Sequence, residues 1–468
     1  MFRKLTTLLI LLFVSAFHRP AFATHAFGAE LTYTCIGTNQ YLLHYTFYRD
    51  CSGIQPPASP GIDFTNTGGL QNPLTVNLTM DSNSPQEIPQ LCPAFSPTTC
   101  GGGTYLGVQK YSYSGVVTFP GNAIWTASHT EAARSSALTT ITGAGSDNLY
   151  VYCTINTSAG CDNSPYFNTD PSIFYCLNNS NTYTPGVMDA DGDSLVLSLI
   201  TPKRGPNSTV NYRNGYSATQ PVVSSPAMTF DPANGTIVVT PTQQDISVTA
   251  ILVNEYRNGI LIGQVERDFT MCVQPCADNA PTVSGFNGST NYAVNAVAGD
   301  PFCFYVTSSD ADASDTTRLS IQALLPGMVR TNSFSKHDSM AVCWTPQPGD
   351  TSGNPHCITV SVTDDHCPIN SVTNHTFCIT VSPVNSIPES SQNQFALFPN
   401  PVTDQLNVKF ENRITGTYII TDVEGRVILQ GKTESDHFTV DFSNHESGIY
   451  FLNFVSESGT ILRKLFVK

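Results

Sequence analysis

FALFPNPVTDQLNVKF (395–410), YIITDVEGRVILQG (418–431) and SGIYFLNFVSESGTILRKLFVK (447–468) stand at the carboxyl end, and their patterning decides the fold class. Leu406, Val408 and Phe410 alternate with polar residues. So do Tyr418 and Ile420, Val427 and Leu429, and Phe438, Val440 and Phe442. A period of two sends alternate side chains to opposite faces of a strand, so one apolar face turns inward. Turn pairs separate the runs at Asn400-Pro401, Glu424-Gly425 and Ser458-Gly459. The spacing predicts about seven short strands in a small β-sandwich over 395–468.

Four pieces of this tail stand out: Phe398-Pro399-Asn400-Pro401, the turn from Asp422 to Gly425-Arg426, Gly448-Ile449-Tyr450, and the basic ending Arg463-Lys464 to Lys468. Their order and spacing resemble the type A C-terminal sorting domain of the type IX (Por) secretion system of Bacteroidota. The resemblance implies a sorting signal on Pro399, Asn400, Pro401, Gly425, Gly448, Tyr450, Lys464 and Lys468. It also implies the type IX machinery as a partner, removal of the tail, and attachment of the body to the cell surface. Such tails serve proteases, glycosidases and adhesins alike, so the implied address says nothing of activity.

The rest of the chain agrees with an exported all-β protein. Charged residues are 12%, against about 25% in an average soluble protein. At the amino end Arg3 and Lys4 precede an apolar run, Leu5 to Phe17, and Ala21-Phe22-Ala23. This reads as a signal peptide over 1–23, with Thr24 as the first mature residue. No stretch reaches the ~20 apolar residues of a membrane-spanning helix. All fourteen cysteines lie between Cys35 and Cys378, and an even count in an exported chain reads as disulfides. The nearest-neighbour pairs are Cys35–Cys51, Cys92–Cys100 and Cys153–Cys161. Residues 24–394 hold 27 acids against 11 Lys and Arg, which disfavours nucleic acid as a partner.

The body divides into a β-rich domain over 24–164, a second domain over 165–277 and a third over 278–384. A polar linker follows over 385–394, then the tail over 395–468. The opening HAFGAELTYTC and QYLLHYTFYRDCSG resemble the first domain of large secreted Bacteroidota surface proteins. The second and third domains form an internal repeat of about 105 residues. Asp189-Ala190-Asp191-Gly192-Asp193 is answered by Asp310-Ala311-Asp312. Val238-Val239-Thr240-Pro241 is answered by Val342-Cys343-Trp344-Thr345-Pro346, and Met271-Cys272 by Phe377-Cys378. Both resemble Ig-like and cadherin-like sandwiches, so the fold class is tandem Ig/cadherin-like β-sandwiches ending in a sorting sandwich.

The acidic runs are the candidate chemistry. In an extended segment Asp189, Asp191 and Asp193 share one side, and carboxylates so close repel unless a cation relieves them. Ca²⁺ takes six to eight oxygen ligands of this kind. The cadherin resemblance implies that Asp278, Asn279, Asp310, Asp312, Asp364 and Asp365 converge at one end of the third domain. Glu255 would join the three aspartates of the second. The same end would bring Cys276 to Cys367, with Cys176–Cys272, Cys303–Cys343 and Cys357–Cys378 completing the set. Trp344 reads as a core residue packed on a disulfide. Tyr105, Tyr111 and Tyr113 read either as an exposed aromatic strip or, in part, as core. No HExxH, GxSxG, Walker or GxGxxG pattern occurs. The reading is therefore a non-enzymatic, adhesin-like or structural display protein, stiffened by disulfides and Ca²⁺, that meets surface glycans or proteins. The competing reading is a carbohydrate-active or proteolytic enzyme, or a carbohydrate-binding module, with its site in the first domain.

Overall fold

The computed structural model describes residues 25–67, 74–88, 92, 97–276, 278–351, 354–383, 395–456 and 461–468, with 461–467 described by backbone alone. The expected signal peptide and the linker over 385–394 lie outside them. The described chain is all-β, and no helix in it is long and apolar enough to cross a membrane.

The third unit is a two-sheet sandwich. One sheet runs Thr282–Val283, Phe302–Ser309, Ser339–Trp344, Val329–Asn332. The other runs Ala293–Val297, Val372–Ser382, His356–Thr363, Arg318–Ile321. Inward positions alternate along each strand, and Val306, Met340, Val342, Ile358, Val360, Val362, Phe377 and Ile379 are fully buried between the sheets. Trp344 is also buried and donates its indole N–H to the Pro326 carbonyl at 3.2 Å. Its neighbour Cys343 points to the opposite face, as strand alternation requires, so Trp344 does not pack on the Cys303–Cys343 bridge.

The second unit repeats this plan. Phe174–Cys176, Ile260–Gln274, Ile246–Arg257 and Ser194–Ile200 match one sheet, and Asn181–Tyr183, Ile237–Val239 and Thr229–Phe230 match the other. In both units an early strand runs parallel to the last, pairing Phe174 with Cys272 and Ala293 with Cys378. The last hairpin differs. Its strands are 12 and 15 residues long in the second unit, against 8 and 11 in the third.

That extra length corrects the boundary drawn at 164/165. Ile260–Gln274 pairs with Ile246–Arg257 along one edge. Its other edge takes Leu149–Asn156 at residues 263–265, Ala26–Gly37 at 267–269 and Phe174–Cys176 at 272–274. The first and second regions therefore share one sheet. Gly28 makes the approach possible, because a Cβ there would lie 2.4 Å from the Asp268 carbonyl oxygen. The shared strand is buried on both faces. Arg267 ion-pairs with Glu30, Arg134 grips Asp268 through Nη1 at 2.9 Å and Nη2 at 2.5 Å, and the carboxylate of Glu266 has no hydrogen-bond partner.

Among the described residues the tail has five strands, two of them long, rather than about seven short ones. Gln405–Asp422 bends at a register shift between Lys409 and Ile414, so it pairs with Val427–Asp441 along two stretches. It also pairs with Phe395–Phe398 and Ile449–Ser456, and the latter pairs with Ile461–Val467. Leu406, Val408, Ile420, Phe442, Leu452 and Phe454 form its core, as the alternation predicts.

Six disulfides form: Cys35–Cys161, Cys51–Cys100, Cys92–Cys367, Cys176–Cys276, Cys303–Cys343 and Cys357–Cys378. The last two match expectation and join residues directly opposite in register. The expected Cys35–Cys51, Cys92–Cys100, Cys153–Cys161, Cys176–Cys272 and Cys276–Cys367 do not form. Sequence proximity is a poor guide because sheet register, not separation, brings Cβ atoms within bridging range. Cys153 and Cys272 are buried free thiols. Cys153 lies opposite Val265, seven residues along the shared strand from Cys272, a span of about 20 Å that no disulfide crosses.

Two outcomes follow. Burial, with Asp268 next in effect, raises the Glu266 carboxyl well above its ordinary value. The folded state then holds a proton that the unfolded chain releases above about pH 4.5, so this group's contribution to stability falls as pH rises. Glu266→Gln should raise the thermal midpoint more at pH 8 than at pH 5; an equal shift at both would refute a protonated Glu266. Thiol titration of the unreduced full-length chain should find two reactive groups, both only after denaturation, and peptide mapping should recover Cys92 linked to Cys367.

Candidate functional site

The acidic segments fold into the same four-part arrangement twice. Each begins with an Asp-Asn-x-Pro step: Asp162-Asn163-Ser164-Pro165 before the second unit, Asp278-Asn279-Ala280-Pro281 before the third. Asn163 donates its backbone N–H to Asp191 Oδ2 at 2.7 Å, and Asn279 donates to Asp312 Oδ2 at 2.7 Å. Within the loops, the Asp191 N–H reaches Asp189 Oδ1 at 3.0 Å, and the Asp312 N–H reaches Asp310 Oδ1 at 2.8 Å. These are Asx turns. The segment 189–193 is therefore not extended, and its three carboxylates do not line one side of a strand. They are gathered by the turn, with Gly192 at φ 78°. The last hairpin supplies the rest: Glu255 and Arg257 in one unit, Asp364 and His366 in the other.

In the second unit the protein supplies its own cation. Arg257 binds Asp193 through Nε at 3.0 Å and Nη2 at 2.5 Å, and it also ion-pairs with Asp162. Glu255 is fully buried beside Asp189 and Asp193. Burial first, then Asp162 and Asp189, push its carboxyl up to about 10, so it is protonated at neutral pH.

In the third unit Asp278, Asp312, Asp315 and His366 bring ligand atoms within 4.8 Å of one another. His366 Nδ1 lies 2.9 Å from Asp315 and 3.6 Å from Asp278. Burial alone would lower the imidazole, yet the hydrogen bond to Asp315 and the charge of Asp278 hold it above its ordinary value. Asp278 and Asp364 are almost fully buried. Burial pushes Asp278 up to about 6; burial together with Asp278 pushes Asp364 up to about 7. One oxygen each of Asp278, Asp310 and Asp364 has no hydrogen-bond partner. Asp365 is directed elsewhere, accepting the Thr316 N–H at 2.7 Å, and does not join the cluster.

Of the expected residues, Asp189 and Asp193 lie with Glu255, Asp191 and Asp193 with Asp162, and Asp278 and Asp312 with Asp315 and His366, while Asn279 and Asp310 hydrogen-bond Asp312; Asp162, Arg257, Asp315 and His366 were not expected. The repeated Asp-Asn-x-Pro was the readable signal for Asp162. The third-unit loop is also clamped from outside: Cys92 bridges Cys367, and the Cys92 N–H donates to the Pro368 carbonyl at 3.1 Å.

The three tyrosines expected as a strip in the first region do not form one. Tyr111 and Tyr113 are core residues, and only Tyr105 is exposed. His129 is buried with both ring nitrogens engaged, by the Gly61 carbonyl and Glu131. A cleft of about 990 Å³ lies between the third unit and the tail. Asp300 is the one carboxylate among its described lining residues.

In the tail the described signal residues sit mostly in turns and strand ends. Pro399, Asn400 and Pro401 form the bend after Phe395–Phe398. Gly425, at φ 81°, closes a turn in which Asp422 accepts the N–H groups of Glu424 and Arg426 and pairs with the Arg426 side chain at 2.7 Å. Gly448 and Lys468 exchange backbone hydrogen bonds. The Lys468 ammonium donates to the carbonyls of Phe442, Ser443 and His445, and Tyr450 donates to that of Glu446. The Lys464 side chain lies outside the described residues.

Among curated proteins none matches the chain. Similar solved structures include Sidekick-1 immunoglobulin domains 1–4, at 8% identity over 90% of this chain and 93% of that one, with a TM-score of 0.17. Zebrafish RET cadherin-like domains 1 to 4 align at 12% identity over 64% and 72%, with a TM-score of 0.16. The endo-fucoidan hydrolase MfFcnA4 of glycoside hydrolase family 107 aligns at 14% over 71% and 43%, with a TM-score of 0.18. Scores this low carry no argument about function. Residues 396–468 match the secretion system C-terminal sorting domain of the Por type. The chain thus carries a Por secretion tail on an all-β body, the mark of a secreted protein attached to the cell surface.

Proposed function

We propose that the body is a non-enzymatic, adhesin-like display module exported by the type IX machinery, with Ca²⁺ stiffening its last junction. The observation that carries this reading is the repeated Asp-Asn-x-Pro cluster at the entrance of each of two like-built sandwiches. Such a cluster ties the entering segment, one loop and the last hairpin together, which is the place where a cation resists bending. Asp278, Asp310, Asp312 and Asp364 would hold the ion in the third unit. The unpartnered oxygens and raised carboxyls of Asp278, Asp310 and Asp364 are what crowded acids show when no cation relieves them. The second cluster is already neutralised by Arg257 and a protonated Glu255, so the third is the tighter site. Engagement of His129 on both nitrogens and burial of Tyr111 and Tyr113 favour display over an enzyme or a glycan platform in the first region.

Calorimetry of the full chain should show Ca²⁺ raising the stability of the unit that holds the third cluster. The gain would be about 2.7 kcal/mol at a hundredfold excess over Kd. Asp278→Asn with Asp364→Asn should abolish the shift, and Asp189→Asn should leave most of it. Identical melts in Ca²⁺ and in chelator would overturn the calcium reading. Separately, a chain ending at residue 394 should accumulate inside the outer membrane; surface display of that truncation would remove the tail from the export argument.

A further inference from the structure

The loop after Val329–Asn332 carries Phe334, whose backbone sits at φ 53° with the side chain 73% exposed. The other non-glycine residues with positive φ are five asparagine or histidine residues, which tolerate that region; a bulky aromatic there is an outlier. The conformation is held from beneath. Asp338, 1% exposed, accepts the Phe334 N–H at 2.9 Å, the Ser333 hydroxyl at 3.1 Å, the Asn332 amide at 2.7 Å and the Leu319 N–H at 3.2 Å. A buried carboxylate with four donors fixes the loop, and the loop presents the ring to water.

The charges around it are equally unusual for this chain. Arg318, Arg330 and Lys336 are the only lysine and arginine residues in 278–384, against nine aspartates. All three are exposed and lie on or beside this loop. Arg318 donates to the Ser335 and Thr317 carbonyls at 2.8 Å, Arg330 to Asn332 Oδ1 at 3.4 Å and Lys336 to the Ala313 carbonyl. Their hydrogen-bond partners are neutral, and Lys336 reaches onto the loop that carries Asp310, Asp312 and Asp315.

We infer that this surface binds an anionic polysaccharide, with the Phe334 ring stacking on the C–H face of a sugar and the three cations receiving its sulfate or carboxylate groups. Three cations fall short of the four to eight in a cluster that reads as membrane-binding. The acidic body opposes a nucleic-acid backbone. A sugar chain offers what the surface matches, an apolar ring face with anionic substituents. The inference deepens the display reading by naming a ligand class. A chain that reaches the cell surface but binds no acidic sugar would sink it and leave that reading standing.

The test is retention of the full chain on heparin and on polygalacturonate, which separate sulfate from carboxylate as the anionic group, with dextran as the neutral control. Binding to either acidic polymer, weakened by salt and absent on dextran, supports the inference. Arg330→Gln should weaken binding about fivefold. Phe334→Gly, which suits the left-handed backbone, should weaken it about tenfold without lowering the thermal midpoint. The inference is overturned if neither polymer binds, if both variants bind like the parent, or if phosphatidylserine vesicles or DNA bind as tightly as the acidic sugars.

Discussion

The structure depends on one strand being buried on both faces and paired on both edges. Ile260–Gln274 carries Glu266, Arg267 and Asp268 in succession, none more than 1% exposed. Alternation would send one neighbour to solvent in a sheet with a wet side. Here it sends Arg267 into one interior and Glu266 and Asp268 into the other. Each charge then needs its own partner, and Glu30 and Arg134 come from the first region. Such pairs add little net stability against an apolar replacement, but losing one partner leaves a buried charge stranded. The pairing thus ties the second unit to the first.

The third unit is joined by different means. Its short last hairpin shares no strand, so covalent and polar contacts make the joint. Cys92–Cys367 closes a separation of 275 residues, and Asn179 donates to the Asp278 carbonyl. The two acidic clusters show what this difference allows. Where the hairpin is long and docked, an arginine fills the cluster permanently. Where the joint is polar, a histidine stands among the acids.

Much of this was legible in the chain. Tail alternation at Leu406, Val408 and Phe410 gave the inward face. The Val238–Pro241 and Val342–Pro346 correspondence gave the repeat, which the shared parallel pairing of Phe174 and Ala293 bears out in topology. Cys303–Cys343 and Cys357–Cys378 each join residues directly opposite on neighbouring strands of the third unit. Asp365 was misplaced because adjacent residues can face opposite ways, and nothing local says which of two neighbouring aspartates turns inward.

By itself the sequence determined the all-β class, the repeat, the acidic loops and the sorting tail, because periodicity and turn chemistry are local and act within a few residues. Only the tertiary structure decided that two expected domains share a sheet and that Cys153 and Cys272 stay reduced. It also decided that Arg257 and His366 stand at equivalent places. These outcomes depend on strand register between segments a hundred or more residues apart. Register follows from which apolar faces and buried charges can be satisfied together, and no single segment contains that information.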